Sequence, residues 1–149
     1  MSVTVLYGTE TGNAEMCADS VATYLREQDT VDVHDMADAD IDVLSAPGFY
    51  VFVTSTFGEG ELPEGAEAFF TALEAASPDL GHVKAAVFGL GDSYYDGTFN
   101  RGGHLVAERL TALGASLIGD VGCYDTSTGE PPEDEALEWV KQVPVLQAT

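Results

Sequence analysis

Short runs of apolar residues alternate along this chain with stretches whose apolar residues recur three or four positions apart. Val3-Thr4-Val5-Leu6-Tyr7 is rich in β-branched residues and predicts a strand. Beyond a Thr- and Gly-rich turn, Ala14, Cys17, Ala18, Val21, Ala22 and Leu25 fall at i, i+3, i+4, i+7, i+8 and i+11, one face of a helix. Val31-Asp32-Val33-His34-Asp35 alternates apolar with polar, as an exposed edge strand would. Phe49-Tyr50-Val51-Phe52-Val53 and Ala85-Ala86-Val87-Phe88 are apolar throughout, the pattern of central strands covered on both faces. Between these two runs, Ala66, Phe69, Leu73 and Ala76 trace another helix. A further helix is expected near residues 103–113, with Leu105, Val106, Leu110 and Leu113 inward. Residues 116–122 read as a fifth strand, and Pro131-Pro132 opens a last helix carrying Ala136, Leu137, Trp139 and Val140.

Strand and helix therefore alternate five times, with the second helix short or irregular around residues 41–45. Such alternation predicts an α/β fold with a doubly wound, five-stranded parallel sheet of order 2-1-3-4-5 and right-handed crossovers. Ligands of these sheets bind beyond the carboxyl ends of the strands at the switch point, here the loops after strands 1, 3 and 4. A chain of 149 residues is one domain by size and buries roughly 70% of its unfolded surface. Residues 1–149 are read as that single domain.

Charge narrows the function. Twenty-six acidic residues against five basic ones give a net charge of −21. Arg26, Lys84, Arg109, Lys141 and Arg101 form no basic stripe, which argues against nucleic acid and anionic membranes. Two readings of the acidity stand: adaptation to high salt, favoured by the presence of only two lysines, and steering toward a basic partner. No apolar run approaches the roughly 20 residues of a membrane span, and Met1-Ser2-Val3-Thr4 does not start a signal peptide, so a cytoplasmic protein is expected. Cys17 and Cys123 form no metal pattern and read as small buried hydrophobes, and no metal site is expected.

The three loops at the expected crevice carry the chemistry. After strand 1, Gly8-Thr9-Glu10-Thr11-Gly12-Asn13-Ala14 leads into a helix N-terminus, which can hold phosphate without Lys or Arg or serve as an ordinary cap. It is neither a Walker loop nor a G-x-G-x-x-G turn. After strand 3, Thr54-Ser55-Thr56-Phe57-Gly58-Glu59-Gly60-Glu61-Leu62-Pro63 sets an aromatic ring among residues that let the backbone approach a ligand closely. After strand 4, Gly89-Leu90-Gly91-Asp92-Ser93-Tyr94-Tyr95-Asp96-Gly97-Thr98-Phe99-Asn100 repeats that arrangement. A planar, phosphorylated ligand would satisfy all three.

The motifs T-x-T-G-N-A, S-T-F-G-E-G-E-L-P and F-G-L-G-D-S-x-Y…F-N resemble those of flavodoxin-like FMN proteins. The resemblance is greatest to the FMN domains of diflavin reductases of the cytochrome P450 reductase and sulfite reductase type, and to short free-standing MioC-type flavodoxins. It spans nearly the whole chain, including Pro132–Trp139. It implies that Thr9, Glu10, Thr11, Gly12, Asn13 and Ala14 wrap the FMN phosphate. It also implies that Ser55, Thr56, Phe57, Gly58, Glu59 and Gly60 line one side of the ring. Leu90, Gly91, Asp92, Phe99 and Asn100 would line the other, with Tyr94 or Tyr95 stacked on it. Three features depart from the pattern: Phe57 stands where Tyr is frequent, Tyr95 and Phe99 are one residue further apart than usual, and Cys123-Tyr124-Asp125 replaces a more acidic stretch.

The resemblance further implies a short-chain flavodoxin, a monomeric one-electron carrier between a separate reductase and an acceptor protein docking near the flavin edge, with no catalytic residue of its own. Two alternatives are a self-sufficient quinone reductase and a non-redox regulatory module of the same fold. The regulator would need an acidic pair after strand 1 and an acceptor Asp after strand 3, where this chain has Gly8-Thr9 and Ser55-Thr56.

Overall fold

The computed structural model describes residues 2–8, 13–27, 30–44, 48–55, 64–91, 101–118, 121–125 and 132–141. Strands β1 (Ser2–Gly8), β2 (Thr30–Asp35), β3 (Gly48–Ser55) and β4 (Val83–Gly91) build the sheet, with short β5 (Ser116–Leu117) and β6 (Gly122–Asp125) at its edge. Every pairing is parallel, in the order β2-β1-β3-β4-β5, and β6 also pairs with β4. The helices are α1 (Asn13–Leu25), α2 (Glu64–Ala76), α3 (Arg101–Ala112) and α4 (Pro132–Lys141). A single 3-10 turn, Ile41–Leu44, stands between β2 and β3.

Two apolar layers flank the sheet, because side chains of a strand alternate between its faces. From β3, Val51 and Val53 enter the layer under α1 and α4, while Tyr50 and Phe52 enter the layer under α2 and α3. The six residues expected on the inner face of α1 are all buried, none more than 3% exposed. On α2, Ala66, Phe69 and Leu73 are buried as expected, Phe70 joins them, and Ala76 is exposed. Phe70 touches Phe52 at 6.1 Å between ring centres and meets Phe69 edge-on at 5.4 Å. Burying each such ring contributes about 1.5–3 kcal/mol. β2 shows the alternating exposure of an edge strand, and Met36 N–H continues its ladder by donating to Tyr7 O at 2.8 Å.

The fifth strand departs from expectation. Residues 116–122 do not form one strand: pairing with β4 runs through Ala85–Leu117, stops, and resumes at Phe88–Gly122. Between these two points β4 advances by Ala86 and Val87, whereas the chain paired with it advances by four positions in sequence. β3 occupies the other edge of β4, so β5 and β6 share its one free edge.

Candidate functional site

Parallel strands joined by helices bring their carboxyl ends to one edge. Here Gly8 of β1 pairs with Thr54, Ser55 of β3 pairs with Leu90, and Gly91 of β4 pairs with Asp125. From this row of strand ends the chain enters residues 9–12, 56–63 and 92–100, and it returns as α1, α2 and α3.

Asn13 opens α1, Ser55 closes β3 and Gly91 closes β4, so these three candidates share the edge. Ala14 and Leu90 lie beside them, 0% and 2% exposed in the layer between the sheet and α1 and α4. Their side chains are floor, and what they can offer a ligand is backbone. Thr9, Glu10, Thr11, Gly12, Thr56, Phe57, Gly58, Glu59, Gly60, Asp92, Tyr94, Tyr95, Phe99 and Asn100 lie outside the described residues.

Two residues at the edge carry no periodic signal in the sequence. A Cβ on Gly8 would stand 2.6 Å from Ala66 Cβ and 3.2 Å from Met36 Cε, so α2 seats on the end of β1 only because residue 8 has no side chain. Thr54 is the one buried polar side chain among the described residues, and its Oγ1 faces the same spot at 3.5 Å. The visible clue to the first is the pairing of two small residues, Gly8 and Ala66. A threonine within an apolar strand gives no clue to the second.

The first N–H groups of α1 have no partner within the helix, and the helix dipole makes that end positive, so backbone there can hold an anion. Four of the five cationic residues lie away from it, while Arg101 opens α3. Arg26 follows α1 and donates its Nε and Nη2 to Val31 O at 3.4 and 3.3 Å. Lys84 lies near the start of β4, its Nζ 5.5 Å from the centre of the Phe49 ring. Arg109, in the last turn of α3, donates to both oxygens of Glu67 at 3.1 and 3.2 Å and lies 3.1 Å from Glu74. Lys141 ends α4 beside Glu138 at 3.7 Å. All four therefore sit toward the amino ends of the strands, opposite the candidate site.

The site end is correspondingly acidic. The Tyr7 hydroxyl is raised above its ordinary pKa of 10.0, first by burial and then by Glu15, Asp35, Asp19 and Asp38. The Cys17 thiol, one turn into α1, is pushed up to about 12 by burial, with Glu133 of α4 adding to it. One carboxylate oxygen of Glu133 is buried without a hydrogen-bond partner. Among the described residues no group of three His, Cys, Asp or Glu side chains could hold a metal, and no helix is long and apolar enough to cross a membrane. Against these carboxylates only the main-chain N–H groups at the start of α1 favour an anion, and the phosphate of FMN is one that such donors can hold.

Known proteins share this arrangement. Residues 5–139 match the family described as Flavodoxin. The chain is 32% identical to Protein MioC of Escherichia coli O157:H7 over 140 residues, covering 93% of this chain and 92% of that protein. It is 34% identical to NADPH–cytochrome P450 reductase of Sus scrofa over 150 residues, covering 95% of this chain. It spans 21% of that reductase and as little as 8% of another relative it matches. Among solved structures, a point mutant of flavodoxin from Pseudomonas aeruginosa superposes with a TM-score of 0.88 at 31% identity, covering 98% of both chains.

Proposed function

The chain belongs to the flavodoxin family, and from that premise we propose that it is a short-chain carrier passing single electrons from a separate reductase to an acceptor protein. FMN is the cofactor of this family and electron transfer its chemistry. Bound FMN supplies the redox step, and the protein supplies binding, orientation and electrostatics. Backbone of Thr9 to Ala14 would hold the phosphate. Phe57 and one of Tyr94 and Tyr95 would supply aromatic contact to the ring, and Asp92 and Asn100 would supply polar contacts to it. Donor and acceptor dock in turn where the ring edge meets solvent, and the carrier diffuses between them as a cytoplasmic monomer.

The observation that carries this reading is the alignment of Gly8, Ser55 and Gly91 beside the N-terminus of α1. The test adds FMN to flavin-free protein and follows the visible spectrum. Saturation at one FMN per chain is expected, with Phe57→Ala and Tyr95→Ala each weakening binding about tenfold through lost stacking. Protein that leaves the spectrum of excess FMN unchanged overturns the reading. Bleaching by NADPH is expected only when a reductase is added, and direct bleaching would make the chain a self-sufficient reductase.

A further inference from the structure

A groove of about 380 Å³ runs between α1 and α4, lined by Asp19, Ser20, Thr23, Tyr24, Glu27 and Leu137. It lies on the flank of the molecule, starting about 9 Å down α1 at 1.5 Å per residue and extending past the helix end. Its floor is apolar, since Tyr24 and Leu137 are half-buried against the layer beneath α1 and α4. Its rim is acidic: Asp19 and Glu27 are both exposed and lie roughly 12 Å apart along the axis. Met16, three residues before Asp19, is 45% exposed and is the one exposed large apolar side chain among the described residues. It extends the apolar strip by a turn.

A cation already approaches the aromatic ring of the groove. Lys141 Nζ stands 5.9 Å from the centre of the Tyr24 ring, within reach of a cation–π contact. Arg26, next to Glu27, is engaged with Val31 O. We propose that this groove docks a cationic amphipathic helix of a partner protein. Its apolar side chains would rest on Tyr24 and Leu137, and its Lys or Arg residues, two helical turns apart, would face Asp19 and Glu27. Charge selects this occupant: a neutral or acidic segment would leave both carboxylates unanswered on a chain of net charge −21. A partner held here leaves the strand-end edge open, so the proposal stands whether or not the chain carries electrons.

The test titrates the full-length, 15N-labelled protein at low salt with a synthetic helical peptide carrying a leucine face and lysines at i and i+7. A scrambled peptide of the same composition is the control. Saturable amide shifts confined to residues 16–27 and 137–141 are expected, with the scrambled peptide at least about fivefold weaker. Asp19→Lys combined with Glu27→Lys should weaken binding about tenfold with unchanged circular dichroism. Shifts spread evenly over the acidic surface, equal binding of the scrambled peptide, or unchanged affinity in the double variant would overturn the proposal. So would a dimer in sedimentation that Asp19→Lys with Glu27→Lys abolishes, since a second copy would then fill the groove. FMN binding followed in the same samples reports separately on the carrier reading.

Discussion

Trp139 lies against Gly122 so closely that a Cβ at residue 122 would come within 2.5 Å of the indole Nε1, and 2.7 Å from Phe88 Cδ1. The indole also packs on the Phe88 ring, centres 5.2 Å apart at 46°. This contact fastens α4 to β4 and β6, next to the strand ends that form the candidate site.

Gly122→Ala should therefore lower stability by about 1–3 kcal/mol through overpacking. Denaturant unfolding followed by far-ultraviolet circular dichroism measures it, a probe that does not depend on Trp139, the only tryptophan. Combining the change with Trp139→Phe should recover part of the loss, because the two residues are in contact. Strict additivity would show that the indole is not what Gly122 accommodates.

Arg109 bridges Glu67 and Glu74 of α2 from α3, in a chain with only five basic residues. Its side chain is 25% exposed and those of its partners about half, so solvent screens the bridge. Arg109→Gln should cost about 1 kcal/mol at low salt and less at high salt. Arg109→Lys should restore only part of this, since an ammonium cannot reproduce the two-pronged contact with Glu67. Thermal melts of the three proteins at two salt concentrations decide the matter.

The Cys17 thiol, held at about 12 against an ordinary value of 9.0, keeps its proton in the folded state after the unfolded chain has lost it. Its contribution to stability is complete below pH 9 and disappears as pH rises toward 12. In a Cys123→Ala background, the native thiol should resist alkylation at pH 8 and react once the chain unfolds. Adding Cys17→Ala should flatten the alkaline fall in stability. Rapid alkylation of the native protein would contradict the burial.

With a net charge of −21 and Arg26, Lys84, Arg109 and Lys141 gathered away from the strand ends, screening should help both the fold and the site. Melting temperature should rise from low to molar KCl, and the potential for adding negative charge to the bound cofactor should rise with it. A melting temperature independent of KCl would show that self-repulsion contributes little.

The sheet was legible because its central strands are unbroken apolar runs and α1 keeps a strict helical face from Ala14 to Leu25. Alternation alone was enough to direct the loops after β1, β3 and β4 to one edge. The fifth strand misled because Leu117, Ile118 and Val121 read as one apolar run, while Gly119-Asp120 between them carries the signal of a turn. The seat of Ala66 on Gly8 and the burial of Thr54 were not legible, since close backbone approach between distant segments has no period. Nor could spacing foretell that Arg26, Lys84, Arg109 and Lys141 would gather at the pole opposite the site.

The break between β5 and β6 bears on how this fold can grow. Because the ladder on β4 stops at Leu117 and restarts at Gly122, residues 118–121 carry two more positions than the strand beside them requires. Extra polypeptide could enter there on the sheet's outer margin while the register on either side stayed intact. That margin is where a descendant of this protein could acquire a new lobe without remaking its centre.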